Sequence, residues 1–124
     1  MKNGKSTKPR VLVVDDERVI ADTLTTILNQ NGFDASAVYT GTDAVEHAVA
    51  SRPDLVISDV IMPDMNGIEA AIRIRQVLPN CKILLFSGQA ATADLLEKAR
   101  AQGHEFEILA KPVYPQDLLA RLGG

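Results

Sequence analysis

Short apolar runs alternate along this chain with longer stretches whose apolar residues recur at helical spacing, and that alternation leaves few folds open. Residues 11–14 (VLVV) are four apolar residues in a row, too few for a helix and suited to a strand buried on both faces. Ile20, Leu24, Ile27 and Leu28 follow at i, i+4, i+7 and i+8, one face of a helix that Asn31-Gly32 closes. Residues 35–39 read as a weaker strand at an edge. Ala44, Val45, Ala48 and Val49 make a second apolar face, stopped by Pro53. Residues 55–58 are a buried strand ending at Asp59, and Ile68, Ala71, Ile72 and Leu78 mark a third helix before Pro79. Residues 82–86 form a fourth strand ahead of Ser87-Gly88. Leu95, Leu96 and Ala99 mark a fourth helix ending near Gly103, and residues 107–110 are a fifth strand. Pro115 opens a last helix with Leu118, Leu119 and Leu122 inward. Five strand–helix units with short links predict a three-layer, doubly wound α/β domain, a five-stranded parallel sheet covered on both sides.

A chain of 124 residues fits one such domain, and 46% hydrophobic with 23% charged residues is the balance of an ordinary globular protein. We expect a disordered basic leader over residues 1–9 and the domain over residues 10–124. No apolar run approaches the ~20 residues a membrane helix needs, and the first ten residues lack a signal-peptide core, so a cytoplasmic protein without a membrane partner is expected. The single Cys81 cannot form an internal disulfide and reads as a small buried hydrophobe. Net charge is −3, but Lys2, Lys5, Lys8 and Arg10 stand together at the start; without them 9 bases face 16 acids, near −7. A body of that charge is a poor direct partner for nucleic acid, which needs clustered Lys and Arg.

The polar residues that end the strands are the chemical signal. The first strand ends in Asp15 and Asp16, the third in Asp59, the fourth in Ser87 and the fifth in Lys111. Ligands of open parallel sheets bind outside the carboxyl ends of the strands, near the point where strand order reverses. Three carboxylates gathered there repel one another and call for a hard cation such as Mg²⁺, while Lys111 supplies an ammonium and Ser87 a hydroxyl for phosphate oxygens. Together these groups describe phosphoryl transfer to an aspartate, a reaction that needs positioning and charge neutralisation rather than further covalent help. Taken singly, each group has a plainer explanation. Asp15-Asp16 suits a helix N-cap, with Asp16 able to serve as cap and ligand together; Asp59 and Ser87-Gly88 suit turns, and Lys111 a solvated surface. Their joint occurrence at four strand ends favours the chemistry.

The segments VLVV-Asp15-Asp16-Glu17, Ser58-Asp59-Val60-Ile61-Met62-Pro63-Asp64-Met65-Asn66-Gly67, Phe86-Ser87-Gly88 and Ala110-Lys111-Pro112 resemble the receiver domain of two-component response regulators. The similarity spans essentially residues 10–122. It implies a flavodoxin-like strand order of 2-1-3-4-5 and a phosphoacceptor signalling domain rather than an enzyme acting on a separate substrate. Asp59 would accept a phosphoryl group from the phosphohistidine of a sensor histidine kinase or a phosphotransfer protein. Asp16 and Asp59 would ligate Mg²⁺ (or Mn²⁺) directly, Asp15 through water, and the main-chain carbonyl of Ile61 would complete the set. Ser87 and Lys111 would touch phosphoryl oxygens, and the Lys111-Pro112 bond would be cis. A downstream protein, and a phosphorylation-dependent homodimer, are the partners such a domain takes. Whether the unit is free-standing or part of a longer regulator or hybrid kinase stays open.

Two departures from the family stand out. Its fifth strand usually carries Tyr or Phe three residues before the lysine, where this chain has Ile108, and residues 103–111 are one residue longer than the common pattern, with His104 and Phe106 inside. The usual aromatic output route is therefore replaced, and we expect the signal to pass through Ser87 and residues 88–91 into the Ala-rich fourth helix, with Phe106 either a substitute ring or a packing residue. The rival readings fare worse. An aspartate-nucleophile phosphohydrolase needs Asp-x-Asp after the first strand and a cap, a flavin carrier needs a phosphate loop where Asp15-Asp16-Glu17 would repel it, and a pseudo-receiver would lack an acid or the lysine.

Overall fold

The computed structural model describes residues 8–88 and 91–122; residues 1–7 of the basic leader, together with Gln89, Ala90, Gly123 and Gly124, lie outside the described residues. The described residues form five strands and five helices in strict alternation: β1 (Arg10–Val14), α1 (Arg18–Gln30), β2 (Asp34–Val38), α2 (Gly41–Ser51), β3 (Leu55–Asp59), α3 (Gly67–Val77), β4 (Lys82–Ser87), α4 (Ala91–Ala101), β5 (Glu107–Ala110) and α5 (Pro115–Arg121). All strands pair in parallel in the order β2-β1-β3-β4-β5. The expected three-layer fold and its order are both present, with β2 at an edge. The order reverses between β1 and β3, so the carboxyl ends of these two strands flank a crevice.

Unbroken apolar runs serve both layers because successive strand residues point to opposite faces. Leu12, Val14, Val56, Ile83 and Leu85 pack with Ala44 and Ala48 of α2, Ile68, Ala71 and Ile74 of α3, and Ala99 of α4. Val11, Val13, Ile57, Leu84 and Phe86 pack with Ala21, Leu24 and Leu28 of α1 and Leu118 of α5. Full burial of a Val, Leu or Ile contributes roughly 1.5–3 kcal/mol, so these two slabs hold the sheet centre rigid. Cys81 is buried as expected, and burial pushes its thiol up to about 11, leaving it protonated and inert.

Three local expectations shift. The inward face of α1 is Ala21, Leu24 and Leu28, whereas Ile20 turns toward solvent; on α2 Ala44 and Ala48 point in while Val49 is half exposed. On α1 the face is thus rotated toward Ala21, which a count of large apolar residues passes over, while on α2 the expected Ala44 and Ala48 stay inward; small side chains let both helices lie close to the sheet. Asp16 is not the N-cap of α1: that position is Glu17, with no side-chain cap bond, and Asp15 Oδ1 accepts from the Glu17 N–H at 2.9 Å. The helix ends at Gly32 (φ 92°) and Gly103 (φ 91°) adopt the left-handed backbone that glycine tolerates.

Candidate functional site

The carboxyl ends of β1, β3, β4 and β5 bring together the residues that the sequence singled out. Asp15 and Asp16 follow β1, and Asp59 ends β3. Carboxylate oxygens of the three lie within 4.8 Å of one another, a grouping able to hold a metal ion. Asp15 is completely buried, Asp59 nearly so and Asp16 exposed, so the cluster opens to solvent through Asp16. Lys111, just past β5, reaches across β4 to place Nζ 2.9 Å from Asp59 Oδ2. That reach requires Gly88, where a Cβ would stand 2.7 Å from Lys111 Cβ. The Lys111-Pro112 bond is cis.

The electrostatics show what the cluster lacks. Among the described residues Asp15 Oδ2 is buried without a hydrogen-bond partner. Burial, reinforced by the charges of Asp59 and Asp16, raises the Asp15 carboxyl above its ordinary value, against the Glu17 N–H bond and Lys111. A buried carboxylate oxygen with no donor is costly unless a cation faces it. Three carboxylates and no sulfur or imidazole make a hard oxygen donor set of the kind that suits Mg²⁺, so the residues fit a divalent cation.

The loop after β3 is held tightly. Val60 and Met62 are buried, Val60 N–H donates to Phe86 O at 3.3 Å, and Gly67 N–H donates to Val60 O at 2.7 Å. A Cβ at Gly67 would lie 2.0 Å from the Asp59 carbonyl oxygen, so only glycine lets α3 start against the end of β3. Asn66 caps α3 through Glu69 N–H at 2.8 Å. Ile61 sits in this loop with its side chain half exposed.

Ser87, at the end of β4, shares a hydrogen bond with Thr92 Oγ1 in the first turn of α4. Thr92 is buried. Sequence reasoning passed over it, since a threonine among alanines five residues after Ser87 carries no motif. Asp64 was also passed over as more than part of the motif; its carboxylate reaches the start of α2. Ile108, opposite Leu85 in the sheet, is half-buried against the α2–α4 side, and its carbonyl accepts from both Nη atoms of Arg121, at 3.3 and 3.1 Å. Phe106 is a packing residue here, half-buried with the Arg75 guanidinium 4.5 Å over its ring, while Arg75 Nη1 donates to Glu105 O at 3.0 Å.

An acidic cluster at the switch point of a 2-1-3-4-5 sheet, facing a lysine from the fifth strand, defines a receiver-type signalling domain. The chain belongs to the response regulator receiver domain family, which it matches over residues 11–123. It is 34% identical over 114 residues to the chemotaxis protein CheY of Thermotoga maritima, covering 91% of this chain and 93% of that protein. It is 32% identical over 115 residues to the DNA-binding response regulator MtrA of Mycobacterium tuberculosis, covering 93% of this chain and 49% of that protein. The chain thus spans about half the length of MtrA and its mycobacterial counterparts. Among solved structures it resembles a CheY-like receiver domain protein of Methanospirillum hungatei (TM-score 0.84, 25% identity, 94% of this chain and 92% of that one). It also resembles the chemotaxis protein CheY4 of Vibrio cholerae (TM-score 0.81, 29% identity, 94% and 98%). Among the described residues no helix is long and apolar enough to cross a membrane.

Proposed function

We propose that this receiver domain takes a phosphoryl group from the phosphohistidine of a sensor histidine kinase or phosphotransfer protein onto Asp59. The observation that carries the reading is the Asp15–Asp16–Asp59 cluster with Lys111 Nζ paired to Asp59 at 2.9 Å. An oxygen of the Asp59 carboxylate attacks phosphorus, the P–N bond breaks, and the imidazole leaves with the electron pair. Lys111, already beside Asp59, exchanges the carboxylate for a phosphoryl oxygen, and Ser87 exchanges Thr92 for another. Asp16 and Asp59 would hold Mg²⁺ (or Mn²⁺) directly and Asp15 through water, with the Ile61 carbonyl as the remaining protein ligand. The cation supplies neutralisation of the charge that gathers on the transferred group. The domain assists its own phosphorylation and dephosphorylation and otherwise acts as a cytoplasmic signalling partner, changing the surface it offers to a downstream protein or to a second copy of itself.

Incubation with Mg²⁺ and acetyl phosphate, followed by borohydride trapping and mass spectrometry, tests this directly. The label is expected on Asp59 alone and absent from Asp59→Asn. Stoichiometric labelling of another acid in that variant would defeat the assignment.

A further inference from the structure

The phosphoacceptor loop, residues 60–66, is bonded at its two ends through Val60 and Asn66 and is also fastened in its middle to α2. Its near side is anchored by burial of Val60 and Met62, but Asp64 is exposed and is held by α2. Asp64 Oδ1 accepts from Gly41 N–H at 3.1 Å, and Oδ2 accepts from Thr42 N–H at 3.0 Å and from Thr42 Oγ1 at 2.7 Å. Thr40 covers the remaining donors of that helix start: its Oγ1 accepts from Asp43 N–H and its carbonyl from Ala44 N–H, each at 3.0 Å. The first four amides of α2 are therefore all satisfied, two by their own cap and two by a carboxylate from another loop. The backbones come this close because position 41 is glycine, where a Cβ would meet Met65 O at 2.7 Å. The Thr42 hydroxyl, then its N–H, hold the Asp64 carboxyl down to about 2, so the anchor is charged at every ordinary pH.

We propose that Asp64 is a positioning residue for the cation site: by fastening the loop to α2, it fixes where the Ile61 carbonyl stands relative to Asp59, which the sheet already holds, and so sets divalent-cation affinity. This rests on the reading of Asp59 as a phosphoacceptor beside a metal. Two oxygens bonded to three donors on adjacent residues fix orientation as well as distance. Ile61 lies between buried Val60 and buried Met62, with the Asp64 anchor two residues beyond Met62. Ligands held in place before binding lose less freedom when the ion arrives.

Calorimetric titration with Mg²⁺ of the whole chain and of Asp64→Ala, Asp64→Asn and Thr42→Val decides the matter. Loss of one net hydrogen bond corresponds to roughly 5-fold in affinity, and loss of all three to more. Asp64→Ala is expected to weaken Mg²⁺ binding by about 10-fold, and Thr42→Val by about 5-fold in the same direction. Asp64→Asn, which keeps one acceptor oxygen, should lie between wild type and Asp64→Ala. Labelling by acetyl phosphate should recover at saturating Mg²⁺, and hydrogen exchange without metal should quicken across residues 60–66. Lowered melting temperature with unchanged Mg²⁺ affinity in both Asp64→Ala and Thr42→Val would reduce Asp64 to a helix cap and overturn the proposal. A wild-type chain that binds no Mg²⁺ would instead overturn the reading of the carboxylate cluster, and this inference with it.

Discussion

Lys111 and Asp59 form a 2.9 Å ion pair that bridges the ends of β5 and β3 across the intervening β4, with Gly88 providing the passage. The ammonium therefore offsets one of the three carboxylate charges and leaves the rest of the cluster to a cation. Lys111→Ala is expected to leave Mg²⁺ binding intact or several-fold tighter, since a competing positive charge is gone, while phosphorylation no longer alters the surface. Calorimetry with Mg²⁺ and hydrogen exchange with beryllofluoride separate the two effects; loss of Mg²⁺ binding in this variant would contradict the role given to the lysine.

Among the described residues the buried Oδ2 of Asp15 has no hydrogen-bond partner, which makes this carboxylate a burden on the fold when no cation is bound. Its raised folded pKa means the native state favours the protonated form, so stability falls as pH rises through that pKa. Asp15→Asn should raise the melting temperature in EDTA at neutral pH by several degrees, in line with relief of about 1–3 kcal/mol. The same variant should lose most of the further rise that Mg²⁺ gives wild type. Thermal melts in EDTA and in Mg²⁺ measure both, and a destabilised Asp15→Asn in EDTA would refute the account.

Asp64 behaves in the opposite sense. Its folded pKa of about 2 lies below its ordinary 3.8, so its stabilising contribution is complete above about pH 4 and disappears as pH falls toward 2. Wild type should exceed Asp64→Asn in stability at neutral pH, and the gap should close between about pH 4 and pH 2. Paired urea titrations across that range check the window.

Gly67→Ala would place a methyl carbon 2.0 Å from the Asp59 carbonyl oxygen, a backbone atom that cannot step aside cheaply. Either α3 or the end of β3 must move. A stability loss of about 2 kcal/mol or more is expected, together with greatly reduced labelling of Asp59. Near-normal labelling in a stable variant would show that the loop has slack.

Output should travel through α4. Ile108 offers no aromatic ring to turn, and a β-branched residue is stiff at χ1, whereas Ser87 is bonded to Thr92 in the first turn of α4. If Ser87 turns to a phosphoryl group on Asp59, as proposed, that bond is lost. Beryllofluoride should therefore change hydrogen exchange most across α4 and β5. A response confined to α1 would rule this route out; Gln89 and Ala90 of the expected route lie outside the described residues.

The order of elements and most strand and helix ends were legible in the sequence because buried parallel strands need unbroken apolar runs and glycine or proline marks their ends. The polar groups of the candidate site were legible for a related reason. Asp15, Asp16, Asp59, Ser87 and Lys111 each sit at the end of such a run, where a parallel sheet collects its carboxyl ends. Periodicity placed Leu24 and Leu28 of α1 and Ala44 and Ala48 of α2 correctly, but it turned Ile20 and Val49 inward and missed Ala21, which carries little hydrophobic signal yet allows close approach to the sheet.

What the tertiary structure alone decided are contacts between segments distant in sequence. Asp64 finds Gly41 and Thr42, which lie 23 and 22 residues earlier, and Arg75 lies over Phe106. The orphaned oxygen of Asp15 appears only once β1 is enclosed on both sides. A sequence records which groups a chain carries and the local periods that shape its elements. Whether a carboxylate ends up charged, paired or deprived of partners depends on what long-range packing brings within about 3 Å of it, the reach of a hydrogen bond.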